Sequence, residues 1–167
     1  FNNKYIDETT TASLYDISNQ NHNVEMNRCK AKVVQLINLC YDFVEDNYAS
    51  IFERERYFIV SDRGTYGFIM LIGSLNKFLV DQKILNKNST STERFEVIKK
   101  YLDALLKGIN NLSPIEEKEQ LILIGAGADK KWWMFFESMV NLAYSEFNPQ
   151  ELIDWRERHD QELQENG

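Results

Sequence analysis

The chain has 167 residues, 43% of them hydrophobic and 13% aromatic, and its 19 basic and 26 acidic side chains give a net charge of −7. A chain of this length buries roughly 70% of its unfolded surface and needs no disulfide or metal to hold a core. With 7 Gly, 2 Pro and only short apolar runs, it is neither low-complexity nor built to span a membrane as a helix.

Residues 1–22 read as a polar arm or short helix, with Leu14, Tyr15 and Ile17 as its apolar patch. The segment 23–167 reads as a single helical domain. Asn23 is a natural N-cap, and Met26, Cys29, Val33, Ile37, Cys40, Val44, Tyr48 and Ile51 then recur in steps of three and four. That spacing predicts one long helix with a single buried face. The two cysteines, Cys29 and Cys40, lie on that face about 16 Å apart along the axis, too far for a disulfide, and read as reduced core thiols of a cytoplasmic protein.

Tyr57-Phe58-Ile59-Val60 is β-branched and aromatic and predicts a short strand, ended by the turn residues Ser61-Asp62-Arg63-Gly64. A second buried helix follows over about 65–82, where Gly67 and Gly73 allow a neighbour to pack closely. Residues 86–91 form a polar stretch that predicts a surface loop or a hinge. Thr90 and Glu93 make a capping box for a third helix carrying Phe95, Ile98, Leu102, Leu105 and Ile109. Ser113-Pro114-Ile115-Glu116 and Asn148-Pro149-Gln150-Glu151 repeat one start signal: a polar cap, proline first in the helix, then an acid. Trp132, Phe136, Met139, Ala143 and Phe147 mark a helix over about 129–147, and Leu152, Trp155, His159 and Leu163 mark the last. The fold class is therefore mainly α: an orthogonal or irregular multi-helix domain of five to seven helices with at most one short strand.

Little in the pattern carries chemistry. His22 and His159 are the only histidines and belong to no metal-binding spacing, so no metal, cofactor or catalytic set is assigned. The acidic pairs sit on polar helix faces, where general acid–base work would require contrasting environments. Acidic residues outnumber basic ones 9 to 6 over 1–60 and 9 to 4 over 125–167, but not over 61–124 (8 to 9), which leaves room for a small central basic patch. Its members are Arg54, Arg56, Arg63, Lys130 and Lys131, the lysines beside Trp132 and Trp133. Gly125-Ala126-Gly127 before a helix start is a candidate phosphate-binding turn; its plainer reading is a tight turn between core helices.

The run Phe58-Ile59-Val60-Ser61-Asp62-Arg63-Gly64-Thr65-Tyr66-Gly67-Phe68-Ile69-Met70-Leu71-Ile72 resembles a segment of DGQHR-domain (DndB-like) bacterial proteins. The later stretch from Gly125 to Ala128, with Glu146-Phe147-Asn148-Pro149-Gln150-Glu151-Leu152, is similar to the end of the same region. The Asp-Gly-Gln-His-Arg signature is absent, so no signature residue transfers. The resemblance implies a helical accessory region of a bacterial protein linked to DNA modification or defence, without an active site of its own. The chain begins at Phe1 with no signal-peptide pattern, which fits a piece of a longer protein. The partner expected is another protein or the remainder of that longer chain, without a membrane. Two alternatives stand beside this: a module gripping a nucleic-acid backbone through the basic patch, and a nucleotide-binding enzyme fragment using Gly125 and Gly127.

Overall fold

A computed structural model describes residues 19–53, 59–121 and 128–165. Among the described residues the chain forms seven helices and no strand: α1 (His22–Asn47), α2 (Ala49–Glu53), α3 (Asp62–Asp81), α4 (Ser91–Asn110), α5 (Pro114–Leu121), α6 (Ala128–Ala143) and α7 (Gln150–Glu165).

Local capping decides most boundaries, and several of them depart from the sequence expectation. The cap of α1 is Asn21 rather than Asn23: the Asn21 side chain accepts from the Val24 N–H at 3.2 Å while Asn19 Oδ1 holds the Asn21 N–H at 3.0 Å. The predicted long helix is also two pieces. It breaks at Tyr48, whose backbone leaves helical geometry (φ −139°, ψ 42°) while its hydroxyl donates to Asp103 on α4. Cys29, Cys40 and Val44 face the core as the spacing requires, but Val33 and Ile37 are only half-buried and Leu36 takes the inward place between them, while Met26 is exposed and Glu25 lies inward beside it, paired with Arg28.

The predicted strand is absent where it can be seen. Tyr57 and Phe58 lie outside the described residues, and Ile59 and Val60 form a turn in which Ile59 is fully buried. Ser61 to Gly64, expected to end a strand, instead begin α3: Ser61 Oγ accepts from the Gly64 N–H at 3.0 Å, and the Thr65 hydroxyl donates to the Ile59 carbonyl at 3.2 Å. The Thr90/Glu93 capping box of α4 forms as predicted, and Ser113 and Glu116 bond each other's backbone N–H across the start of α5. The second proline signal is shifted. Pro149 precedes α7, its carbonyl accepting from Leu152 and Ile153, because Asn141 Nδ2 holds the Phe147 carbonyl at 2.7 Å and draws the Phe147 ring into the core. For the same reason α6 stops at Ala143 instead of 147.

Side-chain contacts fix how the helices run. Gly67 on α3 meets Trp132 and Trp133 on α6, and further along Phe78 meets Phe147 with ring centres 5.5 Å apart, so α3 and α6 are parallel. Lys32 and Ser91, then Phe43 and Phe95, then Tyr48 and Asp103 align α1 parallel to α4. Tyr101 with Tyr144 and Gly108 with Met139 make α4 antiparallel to α6. Phe68, Leu71, Ile72, Leu75 and Leu79 of α3, each 1% exposed or less, form the middle of the core.

The polar stretch 86–91 is a loop strapped by Arg94, whose side chain is completely buried. Its guanidinium donates to the Ser89 carbonyl (3.2 Å), the Asn86 carbonyl (2.6 Å) and Asn76 Oδ1 (2.5 Å), which distributes one buried cation over three acceptors. Ser91 Oγ adds a bond to the Lys32 carbonyl at 2.9 Å.

Two glycines of similar sequence context should respond differently to alanine. A Cβ at Gly67 would lie 3.1 Å from the Trp132 and Trp133 backbone, which cannot yield locally, so Gly67→Ala should cost about 1–3 kcal/mol in denaturant titration. At Gly108 the nearest atom is the flexible Met139 sulfur at 3.3 Å, and the gain in helix propensity of about 1 kcal/mol should leave Gly108→Ala neutral or stabilising. Equal losses at the two sites would contradict this packing.

Candidate functional site

The parallel pairing of α3 with α6 places the N-terminal turns of both helices at the same end of the domain. Arg63 lies one turn before Gly67, and Lys130 and Lys131 lie within one turn before the Trp132–Trp133 backbone that Gly67 meets. Three of the five basic residues expected to converge therefore share one end. Lys130 and Lys131 are exposed and Arg63 is half-buried, and two exposed acids, Asp62 and Asp129, sit among them. Arg54 and Arg56 lie outside the described residues, as do Gly125 and Gly127 of the candidate phosphate turn.

Deeper along the same seam lies a group the sequence reading passed over. Trp133 Nε1 donates to Ser74 Oγ at 3.1 Å, and that hydroxyl in turn donates to the Met70 carbonyl at 3.2 Å, which ties α6 to α3 through a buried polar pair. One turn on from Trp133, Glu137 is 0% exposed; the Ser74 hydroxyl and the Trp133 indole lie beside its carboxyl but direct their well-formed hydrogen bonds to the Met70 carbonyl and to Ser74, respectively. Burial pushes its pKa up to about 7; the Ser74 hydroxyl opposes that shift, Glu151 on α7 adds to it, and Trp133 and Lys130 oppose it. The signal was present in the sequence, because Glu137 is the one charged residue inside the apolar run from Trp132 to Val140.

The thiols offer no nucleophile. Cys29 and Cys40 are free and buried, and burial raises both pKa values, that of Cys40 to about 12, so the thiolate is scarce at neutral pH. No group of three or more His, Cys, Asp or Glu among the described residues could hold a metal ion. The side chain of His159 lies outside the described residues.

A second feature lies on the outside of α1. Lys30, Ala31, Val34, Gln35, Asn38, Leu39 and Asp42, all on α1, line a shallow groove open to solvent. Val34 is 56% exposed there, and the apolar floor is framed by a cation at one end and a carboxylate at the other. The apolar periodicity of α1 belongs to its inward face, whereas this outward one mixes apolar, amide and charged side chains and leaves no such signal in the sequence. No described helix is long and apolar enough to cross a membrane.

Glu137 has a measurable consequence. Its folded pKa lies above the ordinary carboxylate value of 4.5, so the folded state holds the proton more tightly than the unfolded chain. The associated stability is complete below about pH 4.5 and is lost as pH rises to about 7, amounting to on the order of 3 kcal/mol. Glu137→Gln should therefore gain stability relative to the parent as pH rises from 5 to 8, read by urea titration at each pH. A difference that stays constant across that interval would contradict a neutral buried carboxyl.

No protein-family model, curated protein or solved structure matches the chain.

Proposed function

We propose that this chain is a non-catalytic helical interaction domain, accessory to a DNA-linked bacterial protein of the DGQHR-like kind. The observation that carries the interaction reading is the outer face of α1, an exposed groove with an apolar floor and charged ends on the longest helix of the domain. Buried polar groups elsewhere serve the fold: Arg94 straps the 86–91 loop, Asn141 sets the turn into α7, and Trp133 binds α3 through Ser74. The link to DNA rests on the resemblance of residues 58–72 and 125–152 alone. The partner on this reading is another protein or the remainder of a longer chain.

The test places a photo-crosslinking residue at position 34 on the groove or at position 96, which is exposed on α4, in cells producing the protein. Defined adducts from position 34 and none from position 96 are the expected result. Adducts at both positions alike, or at neither, would remove the groove as an interaction surface.

A second reading is favoured by the shared end of α3 and α6. There Arg63, Lys130 and Lys131 would hold a nucleic-acid backbone, aided by two adjacent helix N-termini. Replacing Lys130 and Lys131 with glutamate should then abolish single-stranded DNA binding measured by fluorescence anisotropy at low salt. Absence of binding by the unaltered protein under those conditions would rule the reading out.

A further inference from the structure

The outer face of α1 carries a cation and an anion at opposite ends of one stripe. Lys30 lies towards its start and Asp42 towards its end, with Val34 and Leu39 between them. The side chains of Lys30 and Asp42 are exposed and form no ion pair or hydrogen bond among the described residues. Neither end of the stripe therefore makes a polar contact within the described fold.

We infer that this face binds a second copy of the chain, α1 against α1 in antiparallel register, about a twofold axis near residue 36. The inference rests on the reading of the groove as an interaction surface and names its occupant. Lys30, Val34, Asn38 and Asp42 are four residues apart in succession and so lie on one stripe, with Ala31, Gln35 and Leu39 beside them. The stripe is symmetric in charge about its centre: Lys30 and Asp42 are each six residues from position 36, about 9 Å along the axis. In an isologous pairing Lys30 of one copy faces Asp42 of the other, and the same contact repeats across the twofold axis. Val34 and Leu39 come together near the axis, where water is most easily excluded, and the small Ala31 allows helix axes to approach to about 8–10 Å. A parallel pairing would instead set Lys30 against Lys30 and Asp42 against Asp42. Because each copy carries a net charge of −7, long-range repulsion opposes association, and specificity must come from these local pairs.

The orientation makes a demand that no other occupant makes. By sedimentation equilibrium, Lys30→Glu and Asp42→Lys should each weaken self-association about tenfold or more, since each sets like charges face to face. An equimolar mixture of the two variants should recover it as a mixed dimer, in which Glu at position 30 faces Lys at position 42 and Lys30 faces Asp42. Circular dichroism of each variant checks that these exposed substitutions leave the helical fold intact. A parent protein that stays monomeric, single variants that associate like the parent, or a mixture that fails to recover would each overturn the pairing. Cross-linking from position 34 separates this from the broader reading. Adducts to residues 30–42 of a second copy support the pairing. Adducts only to another protein, or to residues 1–18 of the same chain, overturn the pairing; the first outcome leaves the groove an interaction surface, and the second removes it.

Discussion

Where Gly67 meets the backbone of Trp132 and Trp133, α3 and α6 approach so closely that a Cβ would lie 3.1 Å from the facing main chain. That contact sets the rest of the packing. It fixes the parallel course of the pair, and it stacks the indole of Trp132 and the ring of Phe136 edge to face at 5.7 Å against the middle of α3. It also brings Trp133 within reach of Ser74, so the indole N–H is satisfied inside the core. With α3 and α6 parallel, α4 can lie antiparallel to α6, and α1 then follows α4. A larger residue at position 67 would alter these spacings together, because close-packed interiors do not absorb such a shift locally.

Two buried ionisable groups show how differently the fold treats charge. Arg94 is fully enclosed yet remains useful as a cation, because two loop carbonyls and Asn76 receive its donors. Burial lowers its pKa to about 10, which still leaves it charged at neutral pH. Glu137 has no such set of partners. Burial raises its pKa to about 7, with the Glu151 carboxylate on α7 adding to the shift, so the carboxyl is neutral in mildly acid solution and gives up its proton around neutral pH. A structural ion must be given partners or it gives up its charge, and these two residues take the two courses.

The parts of the fold that were legible in the sequence are those governed by a few consecutive residues. Thr90 with Glu93 and Ser113 with Pro114 and Glu116 mark helix starts because the cap and its partner are three residues apart and need nothing else. The buried faces of α3 and α4 were legible through their spacing. What failed depended on distant residues. Ile59 and Val60 have strand propensity but no neighbouring strand to pair with, so the Ser61 cap and core burial of Ile59 prevail. Tyr48 ends α1 through a contact with Asp103, fifty-five residues away, and Asn141 shifts the start of α7 by holding Phe147. The candidate sites follow the same division. Arg63 and the lysines were readable as basic residues near turns, whereas their common end required the parallel course of α3 and α6. Glu137 stood out as the one acid in an apolar run, but its complete burial, like the exposure of the α1 groove, depends on which face of each helix is covered.

Those placements also change what the overall acidity means. A net charge of −7 spread evenly would weaken any contact between copies or with a nucleic acid. Here the described charge is sorted by position instead. The shared N-terminal end of α3 and α6 balances Arg63, Lys130 and Lys131 against Asp62 and Asp129, while α1 separates its cations from its anions along one exposed face. Field strength over a few ångströms depends on such local order more than on the total, because at 0.15 M salt charges beyond about 8 Å are largely screened. A surface whose charges alternate in blocks along a helix can select one partner orientation even when the molecule as a whole repels its own kind. On the outer face of α1 the exposed Lys30 and Asp42 make no contact within the described fold, and on the proposed pairing their order selects the antiparallel orientation.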